Sequence, residues 1–252
     1  MNPADQPPIL PQAYPATTAP LPLGTGPGES EPIAKPTQAI EAMLRQPRRL
    51  VHQLRQTGGG KLILQLTALG VLCVAIYGVV VGTFSGGDQL WAAPAKLALG
   101  MLGAGLICLP SLFIFSCLAG SRASLKEVVG MVAGLVLLMT LLLIGFAPVA
   151  WVFSQSINSV AMMGFLHLSF GFVALLFGLR FLSQGFQWME TRSNAGLKIW
   201  MLIFTLVVIQ MTTALRPIIG TADTFLPQEK KFFLAHWFEQ MTGQSRFSEF
   251  AD

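Results

Sequence analysis

Five runs of roughly twenty apolar residues each fill most of the stretch from residue 62 to residue 215, and nothing else in the chain restricts its fold as much. A helix rising about 1.5 Å per residue needs about 20 such residues to cross a ~30 Å hydrocarbon layer. The runs cover 62–83, about 95–117, about 128–153, about 159–182 and about 197–215. None alternates polar and apolar residues as a half-buried strand does. Lipid offers no partner to backbone N–H and C=O groups, so helices that satisfy their own backbone are the expected form. Charge points the same way. Only 11% of residues are charged and 53% are hydrophobic, with a mean hydropathy of +0.61. A soluble domain carries about 25% charged residues, so this chain lacks the charge to cover a soluble surface. The expected fold is all-α, an integral membrane bundle of five transmembrane helices with amphipathic interfacial helices at both ends.

The flanks read differently from the spans. Residues 1–36 hold ten of the 16 prolines and no Lys or Arg before Lys35. Proline removes backbone donors and favours extended chain, so this region reads as a disordered, solvated Pro-rich tail. A secretory signal would need a basic start and an unbroken apolar core, and neither is present. Residues 37–60 read as a basic amphipathic interfacial helix, or two short ones broken near Pro47. Ile40, Met43, Leu44, Leu50, Val51 and Leu54 form the apolar stripe. Arg45, Arg48, Arg49 and Arg55 stud the other side and are the expected membrane-surface basic residues. Gly58, Gly59 and Gly60 then release the chain into the five-helix domain, 61–216. The remainder, 217–252, is too polar for a sixth span. It reads as an outer-face tail with an amphipathic helix at 228–241, where Phe232, Phe233, Ala235, Trp237 and Phe238 stand among Glu229, Lys230, Lys231 and Glu239.

Orientation follows from where Lys and Arg fall. Lys35, Arg45, Arg48, Arg49, Arg55, Lys61, Arg122, Lys126, Arg180, Arg192 and Lys198 lie on the N-terminal side of the spans. Only Lys96, Arg216, Lys230, Lys231 and Arg246 lie on the other. This bias predicts a multi-pass protein with its N-terminus in the cytoplasm and its C-terminus outside, and with no signal peptide it fits a bacterial inner membrane.

Small residues are the first candidates for a structural role. Gly164, Gly171, Gly178 and Gly185 recur every seven residues in the fourth run, which keeps them near one helix face. Gly78 with Gly82, and Gly130 with Gly134, form GxxxG pairs in the first and third runs. Glycine there lets a neighbouring backbone approach, so all eight are expected helix-packing positions. His167 shares the face of Gly164 and Gly171 and is expected to point into the bundle, hydrogen-bonded to a neighbouring helix. Gln210 and Arg216, with Thr212 and Thr213, place polar groups at the outer end of the fifth run. Arg216 suits a helix C-terminus ended by Pro217, and a contact from His167, Gln210 or Arg216 to a partner or to lipid is the functional reading.

Catalysis finds little support. The five runs contain no Asp or Glu, so a carboxylate metal site or an acidic relay has no residues to build it. Ser169 follows His167 by two positions, which sends the two side chains to different faces of a helix. Cys73, Cys108 and Cys117 lie inside apolar runs, form no CxxC pair, and read as packing residues. No phosphate-binding or dinucleotide fingerprint occurs. The expectation is no enzyme, no catalytic residue, no metal, no cofactor, no nucleic-acid partner and no identified small-molecule substrate.

One layout is familiar. A tail leads into a basic helix with a proline (Arg45-Gln-Pro-Arg-Arg-Leu50), then two spans, a small-residue basic turn (Gly120-Ser-Arg-Ala-Ser-Leu-Lys126) and a third span ending near Pro148. Over roughly 40–155 this resembles the Yip1 family of polytopic membrane proteins. The resemblance implies a five-helix bundle that acts by interaction and not by catalysis. The functional expectation is a scaffold or accessory subunit of a protein complex. Its partners would be the lipid bilayer and other membrane proteins or further copies of itself. The alternative is a component of a channel or transporter.

Overall fold

The structure is a computed structural model that describes residues 22–157, 159–189 and 195–214. These are all-α, without a strand among them, and five of the helices are long and apolar enough to cross a membrane. The helices are α1 (Pro36–Arg45), α2 (Pro47–Arg55), α3 (Gly59–Ser85), α4 (Gln89–Leu118), α5 (Leu125–Ser156), α6 (Val160–Trp188) and α7 (Ala195–Ala214).

Local chemistry sets the boundaries. Pro36 and Pro47 each occupy the first turn of their helix, where proline's fixed φ suits and its missing N–H costs nothing. Pro47 also pushes Gln46 out of helical geometry, which is why α1 and α2 are two helices. α3 stops at Gly86, whose φ of 66° lies in the left-handed region that glycine adopts without strain. α5 opens on a reciprocal cap: the Ser124 amide donates to the Glu127 carboxylate at 2.8 Å, and the Glu127 amide donates to the Ser124 hydroxyl at 3.4 Å.

The spans alternate in direction. We call the end that carries α1 and α2 the inner end. α5 is the centre of the bundle, with 67% of its most apolar stretch buried against 33% or less in each of the other spans. It packs chiefly on α3 and α6; α4 lies against α3, and α7 packs on α4. α6 and α7 thus flank the bundle. Their bare faces carry Phe165, Phe172, Leu176 and Phe177, and Ile199, Leu202 and Leu206, as lipid-facing surfaces should.

Three sequence expectations change. The second span begins at Gln89, so Lys96 is not at its outer edge but inside α4, fully buried. Residues 22–35, within the stretch whose composition reads as a solvated tail, lie against α2. Most of the apolar stripe of α1 and α2 packs on protein: Met43, Leu50, Val51 and Leu54, with Ala39 and Ala42, join the same core as α5 and α6, whereas Leu44 stays exposed. The glycines of those helices explain this. Leu54 fills the space beside Gly130, and Met43 with Phe181 fills the space beside Gly134. Residues 1–21, where most of the tail's prolines lie, and the amphipathic segment expected at 228–241 are outside the described residues.

Candidate functional site

Packing glycines come first, because they decide which spans lie close. A methyl group on Gly82 would lie 2.6 Å from the carbonyl oxygen of Gln89, and one on Gly78 would strike the Pro94 backbone. This GxxxG pair therefore sets the approach of α3 to α4, backbone to backbone. Gly130 and Gly134 receive side chains of α2, α1 and α6. In α6 the heptad set divides. Gly178 lies against Met139 and Gly185 against Met131, whereas Gly164 and Gly171 have no neighbour among the described residues within 4 Å of the Cβ position. A straight helix drifts about 20° per heptad, so three heptads turn Gly164 about 60° from the contact made at Gly185.

His167 points inward as expected, and its partner is Tyr77 of α3. The tyrosine oxygen and His167 Nδ1 share a hydrogen bond of 2.7 Å, with the rings edge-on at 81° and centroids 5.6 Å apart. Tyr77 is buried. One turn on, Phe170 stacks on Phe146 of α5 at 4.7 Å. His167 Nε2 is buried and has no hydrogen-bond partner among the described residues. An imidazole held at Nδ1 has a fixed orientation, and its second nitrogen can serve one small polar group. Tyr77 escaped sequence reasoning; the available signal was that one of only two tyrosines in the chain stands deep in an apolar run.

Hydroxyl groups of the spans are served mainly by their own helices. Thr140 donates to the Leu137 carbonyl of its own helix at 3.0 Å. Thr67, Thr83, Ser111, Ser116, Ser169, Thr205 and Thr212 do the same within theirs. Gln65, near the inner end of α3, donates to the Ala34 carbonyl at 3.4 Å. Trp200 of α7 donates its indole N–H to the Cys108 carbonyl of α4 at 2.9 Å. Gln210 is partly buried in α7, and Arg216 lies outside the described residues. Cys73 and Cys108 are buried and unbridged, and Cys117 is exposed. Among the described residues no three His, Cys, Asp or Glu side chains come together as metal ligands.

At the inner end the arginines form a clasp. Glu29 is the buried centre. Its carboxylate accepts the Gly24 amide at 2.6 Å and the Arg48 guanidinium. Burial pushes the Glu29 carboxyl up, but the hydrogen bonds from Arg48 and the Gly24 and Gly26 amides, with the Arg48 charge, outweigh it and hold the group below its ordinary value. Arg48 also lies over the Trp188 ring of α6, 5.6 Å from its centroid. Arg49, itself buried, donates to the Glu31 and Pro32 carbonyls at 3.1 and 3.3 Å and pairs with the Glu31 carboxylate at 3.4 Å. Arg55 pairs with Glu127 at 3.7 Å, and Lys126 donates to the Gln56 carbonyl at 2.8 Å, so α2 is fastened to the start of α5. Arg45 makes an exposed pair with Glu41. Arg48, Arg49 and Arg55 thus each bind protein, while Arg45 and Arg55 stay exposed. Glu29 and Glu31 lie 17 to 20 positions from Arg48 and Arg49, a separation at which no periodicity links them.

No family model matches the chain, and neither a curated protein nor a solved structure matches it.

Proposed function

We propose that this multi-pass membrane protein is a scaffold or accessory subunit, binding protein partners or lipid within the bilayer and carrying no solute through it. The observation that supports this reading is the local pairing of the interior polar groups. A conduction or carrier path needs polar groups converging on a wetted route, and Thr140, Gln65 and His167 are each served by their own helix or by one neighbour. The flanking faces of α6 and α7 are broad, apolar and available to other helices. The Yip1-like layout of residues 40–155 implies the same mode of action, by interaction. In this proposal the membrane is a bacterial inner membrane, with α1 and α2 on the cytoplasmic side, and Gln210 and Arg216 serve a partner or lipid contact toward the outside.

Purification in mild detergent, with mass spectrometry of what stays bound, tests the reading. A stoichiometric membrane-protein companion or a discrete homo-oligomer is expected. A lone monomer that supports solute flux in proteoliposomes overturns it in favour of a channel or transporter component. That second reading draws on the unpartnered His167 Nε2 and on Lys96, a charged group fully buried within a span. Tags on Met1 and Asp252 should report opposite compartments; a shared compartment overturns the assigned topology.

A further inference from the structure

With Arg48, Arg49, Arg55 and Lys126 bound to protein and Arg45 paired with Glu41, four of the cations that remain toward the inner end lie on or beside the outlying spans. Lys61 at the start of α3, Arg122 just after α4, Arg180 in the inner half of α6 and Lys198 at the start of α7 are all exposed. None forms an ion pair among the described residues. Each outlying span thus has one such cation in its inner half or in the loop that follows it, while Lys126, belonging to the central α5, is turned to the Gln56 carbonyl.

Each cation also adjoins bare apolar surface on the side toward the bilayer. Leu64 lies one turn outward of Lys61 and is 72% exposed. Leu176 and Phe177 lie one turn outward of Arg180, and Leu202 one turn outward of Lys198; all three are exposed. Leu118, the last residue of α4, precedes Arg122 and is also exposed. Side chains three and four apart share a helix face, so in α3, α6 and α7 the aliphatic stem of the cation can lie along hydrocarbon while its head reaches the interface. Three such boundaries on helices and a fourth in the loop after α4, all toward the same end of the bundle, mark where lipid headgroups meet the protein.

We infer that Lys61, Arg122, Arg180 and Lys198 form a belt that binds the phosphates of anionic phospholipids in the inner-side leaflet. The partner is the lipid headgroup, because each cation adjoins surface suited to acyl chain, which a free anion lacks. The inference does not depend on the scaffold reading; it needs only the five spans.

The test is lipid retention by native mass spectrometry, with melting temperature in neutral detergent as a second readout. Phosphatidylglycerol is compared with phosphatidylcholine. The wild-type protein should retain phosphatidylglycerol preferentially and melt higher in it. Each single variant, Lys61→Gln, Arg122→Gln, Arg180→Gln or Lys198→Gln, should lose about fivefold of that preference, and the four combined should abolish it. The charge-keeping set Lys61→Arg, Arg122→Lys, Arg180→Lys and Lys198→Arg should retain it, which guards against a quadruple variant that fails to fold. Inorganic phosphate alone should leave the melting temperature unchanged. A preference that survives the single and combined Gln variants overturns the belt. Stabilisation by inorganic phosphate equal to that by phosphatidylglycerol overturns it as well, because the site would then be one for a free anion.

Discussion

The Tyr77 hydroxyl and His167 Nδ1 lie 2.7 Å apart and join α3 to α6, two helices that pack mainly through α5 between them. Removing that hydroxyl by Tyr77→Phe leaves His167 with both ring nitrogens unpaired inside the bundle. Interhelical hydrogen bonds in membranes average about 0.6 kcal/mol and reach about 1.7. An orphaned buried polar group costs about 1–3 kcal/mol. Tyr77→Phe should therefore destabilise the bundle by about 1–2 kcal/mol in reversible denaturation from mixed micelles. The double variant Tyr77→Phe, His167→Leu should recover most of the loss, since it removes the orphaned nitrogens too. Additive losses would mean that the pair is not coupled.

The glycines separate by what stands opposite them. At Gly78 the neighbour is the backbone of Pro94, which cannot rotate away; at Gly164 there is open space. Gly78→Ala should force α3 and α4 apart and cost about 1–3 kcal/mol, as overpacking does. Gly164→Ala should be neutral or stabilising by up to about 1 kcal/mol, because alanine is the better helix former. Melting temperatures of the two variants in one detergent decide the matter, and equal values would remove the distinction drawn here between packed and open glycines.

How much of this was legible in the sequence depended on the range of the interaction. The five spans, the break at Pro47 and the approach at Gly78 and Gly82 follow from local composition and spacing, which a single helix carries with it. The division of the α6 glycines was half legible: a heptad repeat places Gly164 to Gly185 near one face, but only the neighbour's direction says where along the helix contact ends. The turn of α1 and α2 toward protein was not legible. An apolar stripe reads the same whether it meets lipid or the pits beside Gly130 and Gly134, and the pits exist only once α5 and α6 are packed. Likewise His167 announced itself as an inward polar group, whereas Tyr77 could be matched to it only in three dimensions.

The clasp gives the last prediction, a dependence on pH with a definite sign. Glu29 is held below its ordinary value in the folded protein, whereas in an unfolded chain it titrates near about 4.3. A carboxyl with a depressed folded value contributes stability that is complete above the unfolded value and is lost as pH falls through the folded one. The arm, residues 22–57, should therefore stay closed from neutral pH down to about 5 and loosen only in stronger acid. Glu31 and Glu127 also pair with arginines of α2, so Glu29→Gln is needed to isolate the effect. In that variant Arg48 keeps its contact with Trp188 but loses its buried carboxylate. Hydrogen exchange of the α2 amides at neutral pH should rise about tenfold, as loss of a charged hydrogen bond implies. The wild-type rise in acid should shrink correspondingly. Unchanged exchange in Glu29→Gln would show that the arm is held by its apolar face, Leu50, Val51 and Leu54, with the carboxylate contributing nothing measurable to its closure.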